Sequence, residues 1–198
     1  MLGPVGLILL VWPLVLVRTG YTAITVVSRA MEPTYSVGDR VLLERIDASE
    51  VRRGDVVLYQ TPDRYQGAAV LQRVIGVGGD RVAERSGAPV TVNGKPLAEP
   101  YVKGGDPSGM APPYDVVVPA RRLFLLGDHR ADSNDSRYFL SEQSGTVAAT
   151  AVQARVLDDR TGLLELALTA LLGFLLTITA LVLGITARVA RRRSSLLL

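Results

Sequence analysis

A mostly β domain held between an N-terminal and a C-terminal membrane helix is the fold class that the sequence predicts, from three observations. Residues 1–17 carry no charged side chain, residues 166–187 form a second charge-free run, and the stretch between them breaks short β-branched runs with Gly, Pro and Asp. With 198 residues, 48% of them hydrophobic, the chain suits one folded unit plus apolar surplus for a bilayer.

A 17-residue helix spans roughly 26 Å at about 1.5 Å per residue, marginally enough to cross the hydrocarbon core. Pro4 falls in the first turn, where its missing N–H is tolerated; Pro13 is a kink position, and Trp12 and Tyr21 suit interfacial anchors. The competing reading is a cleavable signal peptide. Against it, no Lys or Arg precedes the apolar run and no small-x-small site directly follows.

The second run is closed by Arg188, Arg191, Arg192 and Arg193, which mark a cytoplasmic flank and put Asp158, Asp159, Arg160 and Glu165 on the other side. Two spans then leave both termini in the cytoplasm at the cell membrane and residues 19–160 outside, with Arg18 on the outer flank weakly opposed. The expected organisation is a transmembrane helix over 1–18, an extracytoplasmic β domain over 19–160, a transmembrane helix over 163–187 and a basic cytoplasmic tail over 188–198.

Strands are expected in 40–45, 55–60, 69–77, 89–92, 114–119, 122–128 and 146–156, with no sustained helical period between the spans and no internal repeat. Asn93-Gly94 signals a type I′ hairpin, because both central positions of that turn need positive φ. The Gly/Pro-rich segment 103–113 reads as a mobile surface insertion.

Composition excludes several chemistries. The four tail arginines exceed the net charge of +3, so the remaining residues sum to −1 and lack the positive field that nucleic-acid binding needs. With no Cys, a disulfide framework and a thiolate nucleophile are ruled out, and the single histidine, His129, excludes a multi-histidine metal site. No metal or cofactor is expected.

Three polar segments sit among the strands: residues 28–45, 71–82 and 125–139. Singly, each reads as a turn entering a strand or a solvated loop. Together, in this order and behind an apolar segment, they resemble type I signal peptidases, membrane-anchored serine proteases with a Ser–Lys dyad that process the signal peptides of exported preproteins. The resemblance covers residues 20–157 and rests on Ser28, Met31, Pro33, Thr34, Gly38 and Asp39, then Arg73, Val74, Ile75, Gly76, Gly79 and Asp80, then Gly127, Asp128, Arg130, Ser133, Asp135, Ser136 and Arg137. It implies coiled antiparallel sheets beside the membrane. It further implies an oxyanion-hole hydroxyl at Ser28, a base-orienting Ser133, an Asp135–Arg137 ion pair, and supporting roles for Asp128 and Arg73.

The departures fall on the reactive positions. The family's nucleophilic Ser corresponds to Ala30, and its general-base Lys to Gln72. The dyad needs an attacking oxygen and a desolvated amine with a free lone pair. Ala30 has no oxygen, and an amide is far too weak a base near neutral pH. Losing members of such a unit costs on the order of 10⁶-fold.

Replacements are scarce. In an extended segment, Ser28 would repeat the side-chain face of residue 30 about 6.5 Å away. Lys95 and Lys103 read as solvated charges remote from the motifs. His129, at the family's Asn position, reads as a structural hydrogen-bonding residue of its turn.

The leading expectation is a signal-peptidase homologue at the membrane surface that recognises signal peptides without cutting them, a pseudoenzyme partnering an active signal peptidase or the translocation machinery. Two alternatives stay open. One is an active signal peptidase, represented by an inactivated variant or using Ser28. The other is a non-catalytic, membrane-tethered scaffold in secretion.

Overall fold

The computed structural model describes residues 2–85, 87–157 and 161–194. Asp158, Asp159 and Arg160, assigned above to the outer flank, and residues 195–198 of the basic tail lie outside the described residues. The chain divides into two units, a helical one formed by residues 1–21 and 158–198 and a β unit formed by 22–157.

The helical unit contains α1 (Leu2–Gly20) and α2 (Thr161–Ser194), and α1 continues through Pro13. Thr161–Arg188 is long and apolar enough to cross a membrane, whereas Pro4–Gly20 is a shorter apolar helix. The two helices touch through small residues. A side chain at Gly6 would meet the Thr177 hydroxyl and backbone, and one at Gly173 would meet the backbone of Leu9 and Leu10. Glycine at these positions lets two helix backbones approach closely, which is how helices associate where no hydrophobic driving force operates.

The β unit holds two sheets. Seven strands, β1 (Tyr21–Thr25), β2 (Arg40–Glu44), β3 (Val56–Gln60), β4 (Ala69–Val77), β9 (Arg122–Leu126), β10 (Val147–Ala148) and β11 (Val152–Val156), run in the order β1-β2-β11-β3-β4-β9-β10. Four more, β5 (Arg81–Glu84), β6 (Thr91–Val92), β7 (Lys95–Pro96) and β8 (Tyr114–Val117), form a sheet ordered β7-β6-β5-β8. The pairings whose registers are defined are antiparallel.

The apolar run of β9 follows from burial on both faces. Leu123 and Leu125 join the cluster containing Val57, Tyr59 and Val74, while Phe124 and Leu126 join the one containing Ile75, Val82 and Val116. An irregularity between Val74 and Gly76 in the β4–β9 ladder lets β4 serve both clusters. Gly76 is required by space: a Cβ there would collide with Val82.

Three Gly-Asp pairs make the same turn. In Ser36–Asp39, Arg52–Asp55 and Val77–Asp80, the first backbone N–H donates to the aspartate carboxylate at 2.8, 2.8 and 2.9 Å. The glycines Gly38, Gly54 and Gly79 carry φ of 96, 92 and 96°, as the third position of a type II turn demands. Asn93 and Gly94, with φ of 54 and 77°, close the β6–β7 hairpin.

The loop 103–113 differs from the mobile insertion expected of it. Arg130 Nη1 donates to Pro107 O at 2.9 Å and Arg137 Nη1 to Ser108 O at 2.5 Å. Gly109, with φ of 53°, lies so close to the Arg130 backbone that a Cβ would not fit. Buried guanidiniums fasten this segment to the third motif, a linkage that composition does not reveal.

Candidate active site

The first motif leaves β1 and bends. Residues 28–35 form bends and turns, with Tyr35 N–H donating to Met31 O at 2.9 Å, so the extended geometry assumed for Ser28 and Ala30 does not hold. Met31, buried among Val41, Leu43 and Ala154, pins this turn to the sheet. Ser28 is exposed and Ala30 is buried.

Gln72 lies on β4 opposite Val57 of β3. Side chains alternate along strands, so Gln72 shares a face with Val70 and Val74 and with Tyr59 across the ladder. It is 1% exposed. Its Oε1 accepts from Tyr59 Oη at 2.6 Å, and its Nε2 donates to Asn134 O at 3.0 Å and approaches Ser133 Oγ at 3.4 Å. A carbonyl only accepts, so Asn134 O dictates which end of the amide faces it. Tyr65 Oη lies 3.2 Å from Tyr59 Oη and donates to Asn134 O at 2.9 Å. Burial, then the neighbouring Tyr65, push the Tyr59 hydroxyl well above the ordinary tyrosine range, so it stays protonated.

The third motif joins the other two. His129 N–H donates to Ala30 O at 3.0 Å. A Cβ on Gly127 would overlap both Ser133 Oγ and Ala30 O. The segment 127–134 therefore touches the Ala30 carbonyl and, through Ser133 and Asn134, the Gln72 amide.

Buried ion pairs brace the third motif. Asp135 and Arg137 pair at 2.7 and 2.8 Å, and Asp135 also accepts from Gly127 N–H at 3.1 Å. Arg137 Nη2 continues to Arg130 O at 2.7 Å. Asp128 receives Arg73 Nε at 2.8 Å and Nη2 at 2.6 Å, and the Thr34 hydroxyl donates to the same carboxylate. Burial pulls Arg73 down, but the hydrogen bonds and charge of Asp128 outweigh it and hold the guanidinium above its ordinary value. Arg73 also stacks 4.0 Å over the Tyr101 ring and reaches Gly54 O at 3.0 Å.

Two expectations are corrected here. Lys103 is not remote from the motifs: its Nζ lies 2.6 Å from Glu32 Oε2 in the first motif, and its backbone N–H donates to Asp128 O. Among the described residues, His129 finds no hydrogen-bond partner for its side-chain Nδ1. That buried nitrogen lies 3.8 Å from Asp132, and the His129 backbone makes the bond instead. Lys95 lies in β7 and is exposed.

Sequence reasoning missed Tyr59, Tyr65, Asn134 and Glu99, the last paired with buried Arg130 at 2.5 Å. Tyr59 alone carried a signal, since alternation in 56–60 puts it on the buried face. No cluster of three or more metal-ligating side chains occurs among the described residues.

A model of the signal peptidase family, peptidase S26, matches residues 2–157. The chain belongs to that family. It is 35% identical over 118 residues to a probable signal peptidase I-2 of Synechocystis, covering 57% of this chain and 52% of that protein. It is 32% identical over 120 residues to signal peptidase I of Leptolyngbya laminosa, covering 57% of each. The chain thus spans about half the length of these curated relatives. A signal peptidase I structure from Enterococcus faecalis is 28% identical, covering 55% of this chain and 97% of that one, with a TM-score of 0.43.

Proposed function

We propose that this chain is a signal-peptidase relative that binds the signal peptides of exported preproteins and does not cut them. One observation carries the reading: at the two reactive positions stand a methyl group and an amide that is already hydrogen-bonded through both its oxygen and its nitrogen. Ala30 offers nothing to attack a carbonyl. Gln72 Oε1 takes its hydrogen bond from Tyr59 and is too weak a base to take a proton from a nucleophile. Ser28 is exposed in a bend.

The pairs Asp135–Arg137 and Arg73–Asp128 support a retained groove, because the first braces the third motif, the second joins it to the second motif, and neither uses the reactive positions. An extended peptide would bind there by strand addition, with main-chain hydrogen bonds supplying affinity and shallow pockets selecting small side chains. In this reading Ser28 donates to the peptide carbonyl and Ser133 positions residue 72.

Both helices cross the cell membrane in this reading. The apolar length of Thr161–Arg188 supports one span, and the close contact of Gly6 with α2 supports a second span packed on the first. The β domain over 19–160 is then extracytoplasmic, and both termini, with the basic tail 188–198, are cytoplasmic. An active signal peptidase or the translocation machinery is the partner that would release the captured preprotein.

The test is binding of a fluorescent preprotein with an Ala-x-Ala site to the detergent-solubilised chain. Saturable binding without product is expected. Product formed by the unaltered chain, or absence of binding, contradicts the reading.

A further inference from the structure

A cavity of about 540 Å³ opens between the β3–β4 connection and the turn preceding β10. Two guanidiniums line it. Buried Arg64 donates from Nη1 to Gly145 O at 3.0 Å and from Nη2 to Thr146 O at 3.5 Å, with Glu142 3.8 Å from its Nε. Arg122 donates from Nε to Thr146 Oγ1 and from Nη2 to Thr146 O, both at 2.6 Å. Both cations thus fasten on one peptide carbonyl.

Among the described residues, Arg122 has no carboxylate within ion-pair distance. Burial, then the charge of Arg64, push Arg122 below its ordinary value, and the exposed Asp63 only partly opposes this. A guanidinium carries about five N–H donors, so each arginine keeps donors beyond those engaged. Thr61, in the same wall, has a buried hydroxyl without a partner. The cavity borders two left-handed turns, Tyr65–Gly67 with φ of 53, 55 and 74° and Gln143–Gly145 with φ of 49, 56 and 74°. Non-glycine residues hold that conformation only where their surroundings impose it.

We propose that this cavity binds the phosphate group of a small phosphorylated molecule through Arg122 and Arg64. Phosphate suits the pair better than carboxylate, because two guanidiniums fixed side by side can each address different oxygens of a tetrahedral group. The cavity leaves room for the remainder of such a ligand. Neither Ala30 nor Gln72 is among the residues that line it.

The test titrates the detergent-solubilised full chain with pyrophosphate, inorganic phosphate and acetate at low ionic strength, read by calorimetry. Saturable binding of pyrophosphate, at least about tenfold tighter than acetate, is expected. Arg122→Gln should weaken it about tenfold. Asp63→Asn and Glu142→Gln, which remove exposed competing carboxylates, should tighten it and keep the test open if Arg122→Gln misfolds. No saturable binding, acetate binding as tightly as pyrophosphate, or unchanged affinity in Asp63→Asn and Glu142→Gln together overturns the proposal.

Discussion

Tyr59 Oη and Gln72 Oε1 are joined by a 2.6 Å hydrogen bond across β3 and β4, with both side chains buried. The bond converts the candidate base position into a structural one. Tyr59→Phe leaves a buried carbonyl oxygen without its donor, at a cost of about 1–3 kcal/mol. Tyr59→Phe with Gln72→Leu removes both partners and should recover part of that loss. Urea unfolding of the single and double variants checks both statements.

Arg137 and Asp135 are more exacting. Arg137→Leu strands a carboxylate in the interior and should destabilise the domain by about 3–5 kcal/mol. Arg137→Lys should rescue only partly, because a single ammonium cannot reproduce the fork that reaches Asp135, Ser108 and Arg130 together. Thermal unfolding of the two variants distinguishes these outcomes.

Gly127 has no space for a methyl group between Ser133 and the Ala30 carbonyl. Gly127→Ala should displace the first motif and cost about 1–3 kcal/mol or more. Amide hydrogen exchange should report the displacement as lost protection at His129, whose N–H bonds Ala30.

Glu32 supplies the pH dependence. The hydrogen bond from Lys103 holds its carboxyl below the ordinary glutamate range, with burial opposing and the charges of Lys103 and Arg29 adding to the effect. A depressed folded-state pKa contributes stability that is complete above the unfolded-state pKa and disappears as pH falls through the folded-state value. The unaltered chain should therefore melt above Lys103→Met at neutral pH, and the two should converge in acid. Melting temperatures across that range measure it.

Much of the large sheet is legible in the sequence because its strands are short, β-branched and punctuated; the run 69–77 coincides with β4. The shortest elements escape: β7 is two residues, one of them Pro. β1 begins directly where the first helix ends, with no connecting turn to mark it. The site is legible where its residues cluster in motifs and illegible where partners lie far apart. Lys103 reads as a free charge because Glu32 lies 71 positions away. The clamp on 103–113 is hidden for the same reason, since Arg130 and Arg137 reach back to it from the third motif.

The central claim is that cleavage is absent because an attacking oxygen and a basic nitrogen are missing from an otherwise assembled groove. Its most direct measurement is proteolysis of an Ala-x-Ala preprotein by the unaltered chain, Ala30→Ser, Gln72→Lys and the double variant. Product is expected from the double variant alone. Cleavage by the unaltered chain that Ser28→Ala abolishes, or an inert double variant that folds and binds the preprotein, would contradict it.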